Sequence, residues 1–228
     1  MRLCVIIVRP VVRLMFRFHW VGLHHVPRSG GVILVLNHVS KLDPFTVARF
    51  TWDAGRIPRF MIKESLFEVF FVGSALRGAR QILVRRGTQE ANTALRAAEQ
   101  ALRDGEAVLV YPEGTVTRDP DWWPMQGKTG LARLWLASGA PVIPIAQWGQ
   151  QRSWDYHTGK LRLIPRQKAV VRAGEPVDLA RFDGRPVTPE LLREVTDTAF
   201  AAVRDLLAAE RVEPAPDHFW VATAEASS

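Results

Sequence analysis

The chain has 228 residues, of which 47% are hydrophobic and 23% charged, ordinary values for a globular protein and enough to bury a full core in one domain. Its formal net charge of +7 points to an anionic partner, whether nucleic acid, anionic lipid or a phosphorylated substrate. The single cysteine, Cys4, excludes a disulfide framework and a Cys-based zinc site, and fits a reducing compartment.

Residues 1–20 read as a helix. Arg2, Arg9, Arg13 and Arg17 fall in one sector at 100° per residue, apolar side chains fill the gaps, and Pro10 kinks or divides the segment. No charge-free run approaches the roughly 20 residues needed to span a bilayer. The arginines interrupt the apolar core and no small-residue cleavage site follows, which rejects a signal peptide. The expected element is an amphipathic helix lying in the membrane interface, drawn to anionic lipid on the cytoplasmic face of the cell membrane as a peripheral or monotopic anchor. The expected organisation is this helix (1–20), one domain (21–212) and a flexible Pro-, Ala- and Ser-rich tail (213–228).

Within the domain, Arg28-Ser29-Gly30-Gly31 is a turn, and Val32 to Leu36 is a continuous apolar strand buried on both faces, as in a parallel sheet. A helix opens at Asp43-Pro44. Arg59 to Ile62 and Gln81 to Val84 read as strands, with short helices across Leu66 to Leu76 between them. Thr88 caps a helix stopped by Gly105, with Ala91, Leu95, Ala98 and Leu102 on its apolar face. Ala107 to Tyr111 is a strand, a Trp-rich loop follows, and a helix covers about Thr129 to Ser138. Val142 to Ala146 is a strand in which Pro144 suggests an edge or irregular position. Strands are also expected near Lys160 to Ile164 and Ala169 to Ala173, before a last helix opened by Thr188-Pro189. Alternating strands and helices imply an α/β fold: a mostly parallel central sheet flanked by helices.

The polar signals sit just after strands, where the active sites of such sheets gather. Asn37-His38 ends the first buried strand and Asp43 opens the next helix. In a continuous helix the two would be about 140° apart, so a turn must fold back to bring them together. Joined in this way, His38 is a general base and Asp43 the group that fixes its tautomer and stabilises its charged form. Arg85 and Arg86 end another strand, where one of them can clamp a phosphate through its guanidinium fork. Glu113, an acid at a buried strand end, needs partners; it binds substrate hydroxyls or pairs with an arginine. The Gly114 and Thr115 amides can donate to a phosphate or oxyanion, and Lys128 before a helix start can face phosphate. Trp122 stands where a Walker loop requires glycine, and no histidine or acid spacing supplies a metal site, so neither a nucleotide loop nor a cofactor is expected. Nucleic acid is disfavoured because the basic residues lie among apolar ones, not around a platform of stacking aromatics.

Taken in order, Asn37-His38-x4-Asp43, Arg86 at a strand end, Tyr111-Pro112-Glu113-Gly114-Thr115 and Val142-Ile143-Pro144-Ile145 resemble the ordered blocks of the glycerophospholipid acyltransferases, in particular the 1-acyl-sn-glycerol-3-phosphate acyltransferase family. The resemblance runs from about Val21 to Ala173. It implies transfer of a fatty acyl group from acyl-CoA or acyl-carrier protein to the hydroxyl of 1-acylglycerol 3-phosphate, giving phosphatidic acid. His38 and Asp43 would be catalytic, with Asn37, Arg86, Glu113, Gly114, Thr115, Arg118 and Lys128 holding the acceptor. Two departures stand out: Arg85 occupies a position where an acid is common, and Val116-Thr117 intervene before Arg118, where an arginine often follows directly. Other lysophospholipid, polyol or glycolipid acceptors, and a non-catalytic lipid-binding protein, are the competing expectations.

Overall fold

The structure, a computed structural model, describes residues 13–63, 81–84 and 88–221. Seven strands form one sheet: β1 (Phe16–Val21), β2 (Val32–Leu36), β3 (Pro58–Lys63), β4 (Ile82–Val84), β5 (Ala107–Val110), β6 (Val142–Trp148) and β7 (Gln167–Ala173). Among the described residues, the helices that flank it are α1 (Asp43–Asp53), α2 (Thr88–Arg103), α3 (Gly130–Ser138) and α4 (Pro189–Arg211). The strand order is β1-β7-β6-β2-β5-β3-β4, and every neighbouring pair is parallel except β6 and β7. The mostly parallel α/β architecture expected from the alternation is therefore the one observed.

Side-chain alternation along β2 divides the core. Ile33 and Val35 face α2, α3 and α4 in one cluster, whereas Val32, Leu34 and Leu36 join Val47, Ala48 and Phe50 of α1 in the other. All five β2 residues are fully buried, each contributing about 1.5–3 kcal/mol relative to exposure. This explains the uninterrupted apolar run: a strand covered on both faces has no solvent side. Thr188 caps α4 as expected, its hydroxyl accepting from the Leu191 amide at 3.2 Å.

Four local expectations are corrected. Residues 13–15 are helical, but the expected 1–20 helix does not continue, because Phe16–Val21 is the edge strand β1, paired in parallel with β7. Phe16, Phe18 and Trp20 alternate with exposed Arg17 and His19, a period of two, and β7 supplies the backbone partners that settle the matter for the sheet. Residues 1–12 lie outside the described part. Pro144 sits in an interior strand, not an edge. It precedes the first β6–β7 pair, Ile145 with Ala173, and there Gly174 N–H donates to the Pro144 carbonyl at 2.9 Å. The return donation is the one a proline lacks, so little is lost. Lys160 to Ile164 forms no strand. Its residues are exposed, and a single bridge joins Leu161 to Trp154. The C-terminal segment packs back as far as the described chain extends: Trp220 pairs with Met125, and Phe219 stacks on Phe200 at 5.4 Å. The helices expected across Leu66 to Leu76 lie outside the described residues.

Candidate active site

β2, β5 and β6 are adjacent and their C-terminal ends open at the same edge of the sheet. The residues following them meet there. Asn37, the first residue past β2, is buried and turned toward β6. Its side-chain NH2 donates to the Gln147 carbonyl at 3.0 Å, its side-chain oxygen accepts from the Gln147 amide at 2.7 Å, and the Gln147 side chain donates to the Asn37 carbonyl at 3.1 Å. The amide of Asn37 thus behaves like an extra peptide unit of the ladder. Expected among the acceptor-binding residues, it is fully engaged in holding β2 to β6.

One residue later the chain changes partners. The His38 amide donates to Glu113 Oε1 at 2.9 Å, and its carbonyl accepts from the Thr117 amide at 2.7 Å. Glu113 Oε2 accepts from the Met125 amide at 3.0 Å. Glu113 was expected on substrate or on an arginine. Instead both its oxygens bind backbone amides, and the side chain is only 4% exposed. Its function in this geometry is to lash the strand end bearing His38 to the loops after β5. Burial, with neighbouring Asp43 adding to it, pushes the Glu113 carboxyl up to about 8 against the amides that hold it down.

The turn after His38 closes as its spacing required. His38 Nδ1 lies 2.9 Å from Asp43 Oδ2, and the same oxygen accepts from the Val39 and Ser40 amides at 2.6 and 2.9 Å. Three donors converge on one oxygen, while Asp43 Oδ1 is buried without a hydrogen-bond partner. Burial holds the Asp43 carboxyl above its ordinary range, and the His38 ring and the two amides pull it back. A carboxylate accepts only, so Nδ1 carries the proton and Nε2 presents its lone pair. The Tyr111 ring stands 4.5 Å from the His38 ring and reaches Gln147 with its hydroxyl at 3.3 Å. Burial pushes its phenol well above its ordinary value, so it stays protonated. Neither Tyr111 nor Gln147 was assigned a role from the sequence. Gln147 gave no signal, because only the β2–β6 register shows that it faces Asn37.

Beyond Glu113 the backbone turns through Gly114 at φ 71°, and the Gly114 amide donates to the Tyr111 carbonyl at 3.0 Å, so it is not free for an anion. Lys128 lies over this turn. A Cβ at Gly114 would sit 3.0 Å from its ammonium, so the glycine is what lets the lysine approach. Thr115 is half-buried, and Arg118 is exposed with its amide 3.3 Å from Met125 Sδ. Arg85 and Arg86 lie outside the described residues. The Trp-rich loop is pinned from α4, where Arg211 lies 4.1 Å from the Trp123 ring and 4.5 Å from the Trp148 ring. Trp122, at φ 65°, stacks on His157 at 4.0 Å, and His157 Nε2 contacts the Thr117 carbonyl at 3.0 Å. No group of three or more His, Cys, Asp or Glu side chains with metal-holding geometry occurs among the described residues.

The chain is similar to several known proteins. A 1-acyl-sn-glycerol-3-phosphate acyltransferase of Borreliella burgdorferi is 28% identical over 125 residues, covering 54% of this chain and 48% of that protein, so the chain spans about half the length of this relative. A lyso-ornithine lipid O-acyltransferase of Rhodobacter capsulatus is 26% identical over 171 residues, 67% of this chain and 59% of that protein. The crystal structure of the 1-acyl-sn-glycerophosphate acyltransferase PlsC from Thermotoga maritima superposes with a TM-score of 0.65 at 21% identity, covering 91% of this chain and 78% of that one, a likeness of fold. Residues 17–148, more than half of the chain and running from within β1 to the end of β6, match the Acyltransferase family, and the chain belongs to that family.

Proposed function

We propose that the chain transfers a fatty acyl group from an acyl-CoA or acyl-carrier-protein thioester to the hydroxyl of 1-acylglycerol 3-phosphate, producing phosphatidic acid. The observation that carries this reading is the His38 Nδ1–Asp43 Oδ2 contact at 2.9 Å, held by backbone amides at the ends of central strands. His38 Nε2 takes the acceptor's hydroxyl proton as that oxygen attacks the thioester carbonyl. The tetrahedral intermediate collapses, the C–S bond breaks, and the imidazolium returns its proton to the departing thiolate. Ester and free thiol are the products, and no covalent enzyme intermediate forms. Asp43 offsets the charge on the ring while His38 carries the proton. Lys128 over the Gly114 turn, with Arg118 and Arg86, supplies positive charge for an acceptor phosphate. Residues 1–12, with Arg2 and Arg9 among apolar side chains, favour the cytoplasmic membrane surface as the place of work.

The deciding experiment supplies the purified chain with acyl-CoA and lysophosphatidic acid and measures free thiol. His38→Ala is expected to lower turnover by about 10²–10⁴; full activity in that variant would end the base assignment. The name of the Rhodobacter relative favours one alternative acceptor, a lyso-ornithine lipid. Offered in the same assay, that lipid would be acylated faster than lysophosphatidic acid if the alternative holds.

A further inference from the structure

Between β6 and β7 the chain makes an excursion that the acyltransferase reading does not use. Its base is tied to the candidate site. Ser40 Oγ donates to the Trp154 carbonyl at 2.9 Å, Lys41 stands 5.1 Å from the Trp154 ring and 5.5 Å from the Tyr156 ring, and His157 meets the Thr117 carbonyl. The two arms are tied together by Asp155 N–H to the Lys160 carbonyl at 3.0 Å and Arg162 N–H to the Ser153 carbonyl at 2.7 Å. Between and beyond these ties the apolar side chains are exposed: Leu161, bridged to Trp154 through its backbone, is 55% exposed, Leu163 36% and Ile164 91%. Lys160, Arg162 and Arg166 alternate with them, all exposed, and no acid occurs between Asp155 and Glu175.

The same corner receives the start of β1. Arg166 donates to the Phe16 carbonyl at 2.7 Å, and just before Phe16 lie exposed Arg13 and Leu14, the latter 72% exposed. Branched apolar tips set among cations, without acids or exposed aromatic anchors, match the chemistry of an anionic bilayer surface: the tips enter the acyl boundary and the guanidinium and ammonium groups stay with the headgroups. A protein partner would more often present an aromatic-rich core with mixed charges at its rim. We infer that residues 160–166, with Arg13 and Leu14, dock the chain onto an anionic lipid bilayer. Because the excursion is fastened to the His38–Asp43 turn, docking there holds the candidate site beside the lipid surface.

The test uses the full chain, without acyl donor, and vesicles of phosphatidylcholine mixed with phosphatidylglycerol. Sedimentation with the vesicles gives the partition coefficient. In the double variant Leu161→Glu with Ile164→Glu, it is expected to fall by about tenfold or more, from lost apolar insertion and added like charge. A change smaller than about twofold would overturn the inference and assign binding to residues 1–12 alone. Both side chains face solvent, so the thermal midpoint should stay put. Should the double variant fail to fold, Ile164→Cys in a Cys4→Ser background carries an environment-sensitive fluorophore: a blue shift on the mixed vesicles supports docking, and an unchanged spectrum refutes it. Lipid binding is read without turnover, so a chain that docks but releases no thiol would refute the acyltransferase reading and leave this one standing.

Discussion

Replacing Asp43 by Asn separates the carboxylate's charge from its shape. Oδ2 accepts three N–H donors and Oδ1 none, so an asparagine carbonyl at the Oδ2 position can keep the His38, Val39 and Ser40 contacts. What disappears is the negative charge beside the ring. Two unit charges about 4 Å apart interact by about 4 kcal/mol at an effective dielectric of about 20. That energy corresponds to roughly 10³ in rate if His38 becomes an imidazolium in the transition state. The expectation is a fall of about 10³ in kcat for thiol release, with KM little changed, because Asp43 is fully buried and cannot touch substrate. Stability moves differently. Burial raises the Asp43 pKa, so the folded state holds that proton more tightly than the unfolded chain, and ionising the group at neutral pH costs stability. Asn removes that cost but buries an NH2 without an acceptor, and the two effects oppose each other. The thermal midpoint should therefore shift by only a few degrees. A kcat within about tenfold of the parent would refute the charge argument. A collapse of the midpoint alongside activity would show Asp43 to be a structural clamp.

Two further outcomes are expected. For Glu113, the folded-state value of about 8 against an ordinary 4.5 means that the unfolded chain ionises first. The carboxyl's contribution to stability is complete below about 4.5 and declines by about 1.4 kcal/mol per pH unit until pH about 8. Glu113→Gln should flatten that slope in denaturant titrations. It should also cost about 1–3 kcal/mol at low pH, since one of the two backbone amides loses its acceptor; an unchanged slope would contradict the burial argument. For Lys128, replacement by Met should raise KM about tenfold for phosphorylated acceptors and leave uncharged ones unaffected. Equal effects on both acceptor types would remove Lys128 from the phosphate side of the site.

The fold was legible where the sequence had one period only. Val32 to Leu36 is apolar throughout and could only be a strand covered on both sides. Phe16 to Trp20 supports periods of 2 and 3.6 alike, and only pairing with β7, about 150 residues away, decides between them. The alternation of Lys160, Leu161, Arg162 and Leu163 misleads for the opposite reason: among the described residues it gains only the single Leu161–Trp154 bridge and no partner strand. At the site, the His38–Asp43 contact was readable because it is local, five residues apart within one turn. The placement of Glu113 and Asn37 was not. Both stand in the motif blocks, yet their partners are backbone groups of Met125, His38 and Gln147 that no local pattern reveals. A motif residue can thus be indispensable for holding the site together without facing a substrate.

The change of partner between Asn37 and His38 also bears on how the site comes into being. Asn37 is fixed by a residue 110 positions away in β6, and His38 by one 75 positions away in the turn after β5, on opposite sides of β2. Both loops must close before the imidazole is set, and long closures come late and slowly. A refolding chain can regain its helices, and even one half of its sheet, while His38 is still unplaced. Turnover should therefore return after the far-ultraviolet signal, with the lag marking the moment when the β5 and β6 sides of the molecule first share β2.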